Sequence, residues 1–371
     1  MSIGTTYKSS GVNYDIIDPF KRLAQTKAAQ TASFLKRFGV SEEPSSRGES
    51  AYLIEADDRY LAIVEEGLGT KNLIADAVYA STGKSYYDHL AQDTVAMIVN
   101  DMITVGALPI EVAMQVAAGS SEWFSDTVRS RDLIEGWARA CALSGAAWGP
   151  GETPVLSGVV NDNTVLLSGS AIGMIKPKDR RIKGDIQDGN VIVLLSSSGI
   201  HANGLTIVRR IVEQLPEGYA TKLSDQRTFG ETLLDPTTIY VPIMEDCLDQ
   251  GIGIHYAINI TGHGWRKLLR NREPFIYEIE TIPAPQRVFD VIQKTARVPD
   301  EEMYATFNMG AGFALYIAAE DVAAVEAICR THGVDAYAAG TIHKQGDEKK
   351  LIIKPKGIIF DGNSLAIQGK N

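Results

Sequence analysis

The chain of 371 residues lacks the usual marks of secreted, membrane and nucleic-acid-binding proteins. Its three cysteines, Cys141, Cys247 and Cys329, form no Cys-x-x-Cys pair, which argues against a disulfide framework or a zinc ribbon. No apolar run approaches the roughly 20 residues that span a bilayer, and the N-terminal stretch has no signal-peptide core. The net charge of −10 does not suit non-specific nucleic-acid binding. We therefore expect a cytoplasmic protein without membrane or nucleic-acid partners.

The common nucleotide and hydrolase signatures are also missing. The stretch STGKS (81–85) resembles the end of a P-loop, but Val78 occupies the position of the required first glycine. Three Gly-x-Gly pairs lack the third glycine of a dinucleotide fingerprint, and neither His-Glu-x-x-His nor Gly-x-Ser-x-Gly occurs. A phosphate ligand would therefore require a less common fold.

The length and the element pattern predict two α+β domains, because a chain of this size exceeds one ordinary core. A basic, turn-rich break, KPKDRRIKGD (176–185), marks the boundary. We predict an N-terminal arm and loop over 1–50, a first domain over 51–175 and a second over 176–371. In the first domain we expect a hairpin turning at Asp57–Asp58, a helix stopped by Gly106, a helix over Thr127–Leu143, and strands over 153–160 and 164–175.

The segment EEGLGTK (Glu65–Lys71) follows an apolar run and combines acids, glycines and a lysine. Glycines allow backbone N–H groups to approach a phosphate, and the acids favour a metal ion beside it. An ordinary turn after a strand would have the same residue types, and both interpretations stay open.

The helix DTVAMIVND carries Asp93, Asn100 and Asp101. Asp93 and Asn100 are two turns apart and share one face, whereas Asp101 lies about 80° from Asp93 around the axis. These groups suit Mg²⁺ with an ATP phosphate chain, or simply form a solvated polar face.

Four glycine-containing turns follow, each open to a ligand-binding or a purely structural interpretation: GPGET (149–153), SSSGIHANG (196–204), TGHGW (261–265) and TFNMGAG (306–312). The second places His201 and Asn203 where a helix is expected to begin. That position suits either an anion or a helix cap.

Taken in order, these segments resemble the aminoimidazole ribonucleotide synthetase family (phosphoribosylformylglycinamidine cyclo-ligase, a step of purine synthesis). The resemblance runs from Tyr7 to Lys344. The matching stretches include GLGTK, DTVAMIVNDMITVGALP, DGNVIVLLSSSGIHANGLTIVRRI, LLDPTTIYV, ITGHG and EMYATFNMGAG.

The resemblance implies a homodimer in which N-terminal domains pair into an intersubunit β-barrel, with a C-terminal α/β sandwich outside. It implies ATP and Mg²⁺ as cofactors and a small sugar-phosphate substrate. ATP would phosphorylate the formyl-derived oxygen of the acyclic amidine, and ring closure would expel phosphate. The enzyme would mainly position groups and stabilise charge.

The family's functional positions carry over to named residues of this chain. The catalytic positions are Asp93, Lys71, Glu152 and His201. The ATP-binding positions are Lys8, Gly67, Gly69, Thr70, Lys71, Asn100, Asp101, Thr261 and Gly262. The substrate positions are Ser198, His201 and Asn203, and the implied Mg²⁺ ligands are Glu66 and Asp93.

This chain departs from the family pattern near the substrate. Glu66 stands where an aspartate is usual, Pro150 where a glycine is usual, and His263 occupies the middle of a Gly-Gly-Gly turn. Two alternatives therefore stand beside the cyclo-ligase: a related ATP-dependent kinase or synthetase with another substrate, and a non-catalytic nucleotide-binding relative.

Overall fold

A computed structural model describes residues 14–223 and 226–365, so Lys8 lies outside the described residues. The helices are α1 (Tyr14–Ala29), α2 (Lys71–Thr82), α3 (Tyr87–Ile103), α4 (Thr127–Leu143), α5 (Leu205–Ile211), α6 (Phe229–Leu233), α7 (Val241–Asp249), α8 (Arg287–Ala296), α9 (Asp300–Thr306) and α10 (Val322–Thr331). None of these helices combines the length and the apolar character that crossing a membrane requires.

The strands form two sheets, one in each half of the chain. The strands are β1 (Ser41–Glu42), β2 (Tyr52–Glu55), β3 (Tyr60–Gly67), β4 (Leu108–Ala118), β5 (Ala147–Glu152), β6 (Val165–Ile175), β7 (Val191–Ser196), β8 (Ile254–Asn259), β9 (Ile276–Ile279), β10 (Ala311–Ile317), β11 (Ala336–His343), β12 (Lys350–Ile353) and β13 (Ile358–Asp361). Both halves mix helices with strands, as the sequence predicts.

The first sheet has the order β1-β2-β3-β6-β4-β5 and is antiparallel except for the β4–β5 pair. Helices α3 and α4 pack against each other, and α3 contacts β3, β6 and β4. The alternating burial along β3 and β6 turns Ala62, Val64 and Ala171 towards the helices. Ile63 and Ile172, which are direct cross-strand partners, lie on the opposite face and are 40% and 46% exposed.

The second sheet has the order β13-β12-β9-β11-β7-β10-β8, and only the β12–β9 pair is parallel. Strand β10, next to the edge strand β8, is buried along its whole length between β7 and β8. Because β10 is antiparallel to both neighbours, the ends of β7 and β8 and the start of β10 meet at one sheet edge.

Several local predictions are confirmed. The hairpin forms as β2 and β3, and α4 covers the predicted residues because Asp126 caps the N–H groups of Val128 and Arg129. Gly106 follows α3 with φ +82°, and a Cβ there would lie 2.3 Å from the carbonyl oxygen of Arg180. That close approach explains why glycine is required.

Two local predictions are wrong. The segment 153–160, predicted as a strand, makes only isolated bridges. Strand β4 pairs with β6 on one side and with β5 on the other, and β5 includes most of the predicted GPGET turn. The region before residue 50 is not all loop, since it contains α1 and a 3-10 helix, Ala32–Phe38.

Helix α1 has the reverse of the usual orientation for an amphipathic helix. Its partly buried positions are the polar residues Asp18, Arg22 and Gln25. Ile16 and Phe20 point away from the protein and are 71% and 73% exposed. The helix therefore rests on the rest of the chain through polar groups.

Candidate active site

A cavity of about 250 Å³, here called the interdomain cavity, lies between the two halves of the chain. Its lining residues are Lys21, Glu49, Ser50, Glu66, Met97, Asp101, Asn203, Asn259, Thr261, Gly262, His263, Lys267 and Arg270. The structure thus brings five predicted site residues to one cavity: Glu66, Asp101, Asn203, Thr261 and Gly262.

The sheet edges explain this convergence. The turns after β7 and β8 leave the second sheet at the same edge, beside the start of β10. Helix α3 of the first half contacts β8 there, and the Asn259 side-chain amide donates to Asp101 Oδ1 at 2.8 Å. The ends of β3 and β8 therefore contribute opposite walls of the cavity.

Lys71 and Asp93 form a fully buried ion pair outside the lining of the cavity. Lys71 Nζ lies 2.6 Å from Asp93 Oδ2 and donates to the carbonyl oxygen of Asp235 at 2.9 Å. Asp93 Oδ1 accepts hydrogen bonds from the Thr237 N–H, at 2.8 Å, and from the Thr237 hydroxyl. Asp93 Oδ2 has the ion pair with Lys71 but no hydrogen-bond partner among the described residues, and Asp93 does not line the cavity.

The ion pair belongs to a larger set, here called the interdomain clasp: five side chains of the first half that bind the backbone of residues 234–240. These side chains are Lys71, His89, Gln92, Asp93 and Asn100. Asn100 donates to Thr238 O at 2.8 Å and accepts from Tyr240 N–H at 2.9 Å. The predicted shared face of Asp93 and Asn100 is confirmed, because both contact this segment, while Asp101 turns to the cavity.

His201 and Ser198 lie against the clasp and not in the cavity wall. His201 Nε2 accepts a hydrogen bond from Ser198 N–H at 3.3 Å, and the Ser198 hydroxyl donates to Pro236 O at 2.5 Å. Burial, helped by the charge of Lys71, lowers the pKa of His201 to about 3, so the imidazole is neutral at pH 7. Asn203 does line the cavity, and its buried Nδ2 has no hydrogen-bond partner among the described residues.

Charges in the cavity are only partly solvated. Burial, with the nearby charge of Asp101, raises the pKa of Glu66 to about 7, although Lys267 opposes this effect. Burial lowers the pKa of Lys267, against the attraction of Asp101 and Glu66. Lys267 Nζ donates to Asn259 O at 3.2 Å and to the Thr261 hydroxyl.

The glycine turn that precedes Lys71 closes β3 and starts α2. Gly67 ends the strand, Gly69 has φ +79°, and Thr70 directly precedes the helix. None of these three residues lines the interdomain cavity. In this structure the turn places Lys71 beside Asp93. That the turn binds a phosphate stays a prediction.

Glu152 lies apart from the other predicted catalytic residues. It is exposed on the edge strand β5, and its Oε1 accepts a hydrogen bond from Thr153 N–H at 3.1 Å. It lines a separate groove of about 360 Å³ with Glu65, Gln115 and Ser170, on the sheet face that the helices leave open. One chain therefore does not bring Glu152 to the interdomain cavity.

Sequence reasoning missed several cavity residues, above all Lys21, Asn259, Lys267 and Arg270. Lys267 and Arg270 belong to WRKLLRN, whose mixture of apolar and basic residues indicates only a helix. The one available signal was the position of Lys267 in the sequence, shortly after the TGHGW turn (261–265), which is a candidate ligand-binding turn.

Comparison with known proteins identifies the family of this chain. Residues 48–175 match the family model for the AIR synthase related protein, N-terminal domain, and residues 187–352 match the C-terminal domain. These two matches lie on either side of the predicted boundary and together cover more than half of the chain.

The chain belongs to the AIR synthase related family. The resemblance seen in the sequence is thereby confirmed.

Curated relatives match along nearly the whole length. The phosphoribosylformylglycinamidine cyclo-ligase of Methanocaldococcus jannaschii is 34% identical over 342 residues, 91% of this chain and 92% of the relative. The protein of that name from Pyrococcus furiosus is 33% identical over 357 residues, 96% of this chain and 99% of the relative.

Solved structures share the family fold at low identity. The HypE–HypF complex matches with a TM-score of 0.60 at 14% identity, covering 84% of this chain and 92% of that chain. AaThiL complexed with AMPPCP and TMP matches with a TM-score of 0.56 at 13% identity, covering 84% of this chain and 89% of that chain. At these identities the likeness establishes the fold alone.

In this family member, the clasp predicts a large stability loss when Lys71 alone is removed. Lys71→Met leaves the Asp93 carboxylate buried without its cation, so we expect a loss of roughly 3–5 kcal/mol in the free energy of unfolding. Urea denaturation at fixed protein concentration measures it. Arg59→Met, in a pair whose side chains are 37% and 50% exposed, is the control, and solvent screening should make its effect on stability much smaller. Equal losses for both variants would refute a stabilising role for the buried pair.

A second prediction concerns pH. The pKa of Glu66 is about 7 in the folded chain and 4.5 in a solvated one, so the folded state holds the extra proton between these values. Stability of the metal-free protein should therefore fall as the pH rises from 4.5 to 7. Glu66→Gln removes this loss and should be more stable than wild type by roughly 1–3 kcal/mol at pH 8, but not at pH 5. Thermal unfolding at both pH values tests this, with the exposed Glu213→Gln as control; the same difference at both pH values would contradict it.

Proposed function

We propose that this chain is an ATP-dependent phosphoribosylformylglycinamidine cyclo-ligase that acts in the cytoplasm in purine biosynthesis. The observation that carries the proposal is the match to relatives of that name over 91% of the chain. The interdomain cavity supports it, because it combines cations, carboxylates and an unsatisfied amide donor. Cys141, Cys247 and Cys329 are unpaired, which suits a reducing compartment.

The proposed reaction transfers the γ-phosphoryl group of ATP to the formyl-derived oxygen of the substrate and releases ADP. The neighbouring nitrogen then attacks the activated carbon, the imidazole ring closes, and the oxygen leaves as inorganic phosphate. Such a reaction needs chiefly positioning and charge stabilisation. AaThiL, which shares the fold, was solved with the ATP analogue AMPPCP, and this supports a nucleotide role for the same fold here.

The cavity residues fit a Mg²⁺ ion held together with nucleotide phosphates. Mg²⁺ in such sites uses one or two carboxylates plus phosphate oxygens, and Glu66 and Asp101 both line the cavity. Among the described residues, no group of three or more acidic, histidine or cysteine side chains could hold a metal unaided. When bound, the ion would neutralise phosphate charge. We assign its ligands to Glu66 and Asp101; Asp93, which pairs with Lys71, binds Thr237 and lies outside the cavity lining, acts as a positioning residue.

The remaining predicted residues take their roles from their contacts. Asn203 presents an unsatisfied donor, and Thr261 and Gly262 present the turn after β8. His201, Ser198, Lys71 and Asn100 hold the segment 234–240 and the loop beside it. The glycine turn Gly67–Thr70 and the N-terminal Lys8 complete the proposed nucleotide site.

We also propose a homodimer that closes the first sheet into an intersubunit barrel. Four large aliphatic side chains on strands of that sheet are 40–46% exposed: Ile63, Ile110, Leu166 and Ile172. Large aliphatic side chains exposed on an open sheet face favour burial against a partner. The groove that holds Glu152 lies on the same face, so Glu152 would sit at the interface and serve the paired site.

Product formation tests the activity. Purified protein with Mg-ATP and formylglycinamidine ribonucleotide should release ADP and aminoimidazole ribonucleotide in equal amounts, only when the substrate is present. Asp101→Asn keeps the acceptor for Asn259 but loses the charge, and kcat/KM should fall by about 10²–10³-fold. ATP binding without this product would favour a kinase or synthetase of the same fold with another substrate.

Sedimentation tests the dimer. Ile172→Arg places a charge at the centre of the proposed interface and should weaken association by about tenfold or more. Ile134→Arg is the matched control, because Ile134 is also 46% exposed but lies on the outer helix α4. If Ile172→Arg stays as associated as the control, the open face is not the interface.

A further inference from the structure

The segment before β2 lies against the second half of the chain and reaches the interdomain cavity. Residues 43–50, here called the strap, begin with the 3-10 helix Pro44–Ser46 and end with Glu49 and Ser50, which both line the cavity. Gly48 has φ +89°, a conformation that favours glycine, and it turns the chain just before these two residues. The strap thus brings two polar side chains to the cavity wall.

Arg270 of the second half holds the cavity end of the strap. Its Nη1 donates to Ser50 Oγ and its Nη2 donates to Gly48 O, both at 2.8 Å. Its Nε lies 3.4 Å from Glu49 Oε2, which also accepts a hydrogen bond from the Tyr256 hydroxyl at 2.9 Å. Because the donors of a guanidinium group lie in one rigid plane, these contacts together fix where Ser50 sits.

The strap contains two arginine–serine pairs, and they differ in one respect. Near its start, Arg181 donates to Ser45 Oγ, and the Ser45 hydroxyl in turn donates to Glu43 Oε1 at 2.9 Å. At its end, Ser50 Oγ accepts from Arg270, but none of the described residues accepts a hydrogen bond from the Ser50 hydroxyl. Since Ser50 lines the cavity, its one O–H donor is available to a ligand there.

We propose that the Ser50 hydroxyl donates a hydrogen bond to an acceptor oxygen of the ligand in the interdomain cavity, and that Arg270 is a positioning residue for Ser50. A guanidinium group has no acceptor, so Arg270 takes a lone pair of Ser50 Oγ and leaves the proton for another partner. The inference deepens the proposed function and rests on it for the identity of the ligand, because ATP and the ribonucleotide substrate both carry acceptor oxygens.

Calorimetric titration tests the contact without turnover. The probes are a non-hydrolysable ATP analogue with Mg²⁺ and, separately, formylglycinamidine ribonucleotide. Ser50→Ala removes the donor, so one of the two probes should bind about 5–10-fold more weakly, and that probe carries the acceptor. Ser50→Thr keeps a hydroxyl and should recover most of the loss. Ser45→Ala is the matched control, because Ser45 is also bonded to an arginine of the strap but donates within the strap; both affinities should stay within twofold of wild type.

A double-mutant cycle tests the positioning role of Arg270. Arg270→Lys keeps a cation beside Glu49 but loses the planar set of donors, so the probe that depends on Ser50 should bind about threefold more weakly or worse. If Arg270 acts through Ser50, adding Arg270→Lys to Ser50→Ala should change the affinity by no more than about twofold. Additive losses would show that Arg270 acts independently of Ser50 and would overturn its positioning role.

Affinities within twofold of wild type for both probes in Ser50→Ala would overturn the proposal. Equal losses for both probes, or the same loss in Ser45→Ala, would assign the effect to the strap as a whole and overturn it too. The proposed function fails on different evidence: a wild-type protein that binds the ATP analogue but forms no aminoimidazole product refutes the cyclo-ligase, and the Ser50 variants still decide the contact with the analogue. Binding of neither probe by the wild type would overturn both.

Discussion

The buried ion pair between Lys71 and Asp93 is the contact on which the relation of the two sheets depends. Removing two charges from water is costly, and the cost is offset only where each remaining lone pair and proton finds a partner. Here the Asp235 carbonyl accepts from Lys71, and the Thr237 amide and hydroxyl donate to Asp93 Oδ1, while Asp93 Oδ2 has only the ion pair. Because those partners belong to the second half of the chain, satisfying the charges joins the halves.

The clasp also determines which residues next to it in sequence line the interdomain cavity. On α3, Asp93 and Asn100 form hydrogen bonds with the segment 234–240, and these bonds fix the rotation of the helix about its own axis. Asp101 is then directed to Asn259 and the cavity. On the other side, Ser198 bonds to Pro236 and holds the His201 loop in place. Positioning residues and cavity residues are thus adjacent in sequence but distinct in role.

Local features of the fold followed from the sequence, whereas long-range ones did not. Helix α4 was predictable because its cap and apolar spacing lie within its own segment. The common face of Asp93 and Asn100 was predictable from helix geometry, but their partner, more than 130 residues away, was not. Strand β5 was missed since a Gly-Pro-Gly sequence favours a turn, and only pairing with β4 makes it a strand. The resemblance to a family indicated Glu66, Asn203 and Thr261, but it did not indicate Lys267, which lies outside the motifs that carried the resemblance.

The clasp and helix α1 border the cavity in different ways. A hinge motion between the two sheets would have to break a buried ion pair and the hydrogen bonds around it. Helix α1, by contrast, carries Lys21 into the cavity wall, and the side chains that it partly buries, such as Asp18 and Gln25, are polar. The cavity therefore has two kinds of wall: one between the sheets that a buried ion pair fixes, and one on α1 that is built of polar side chains.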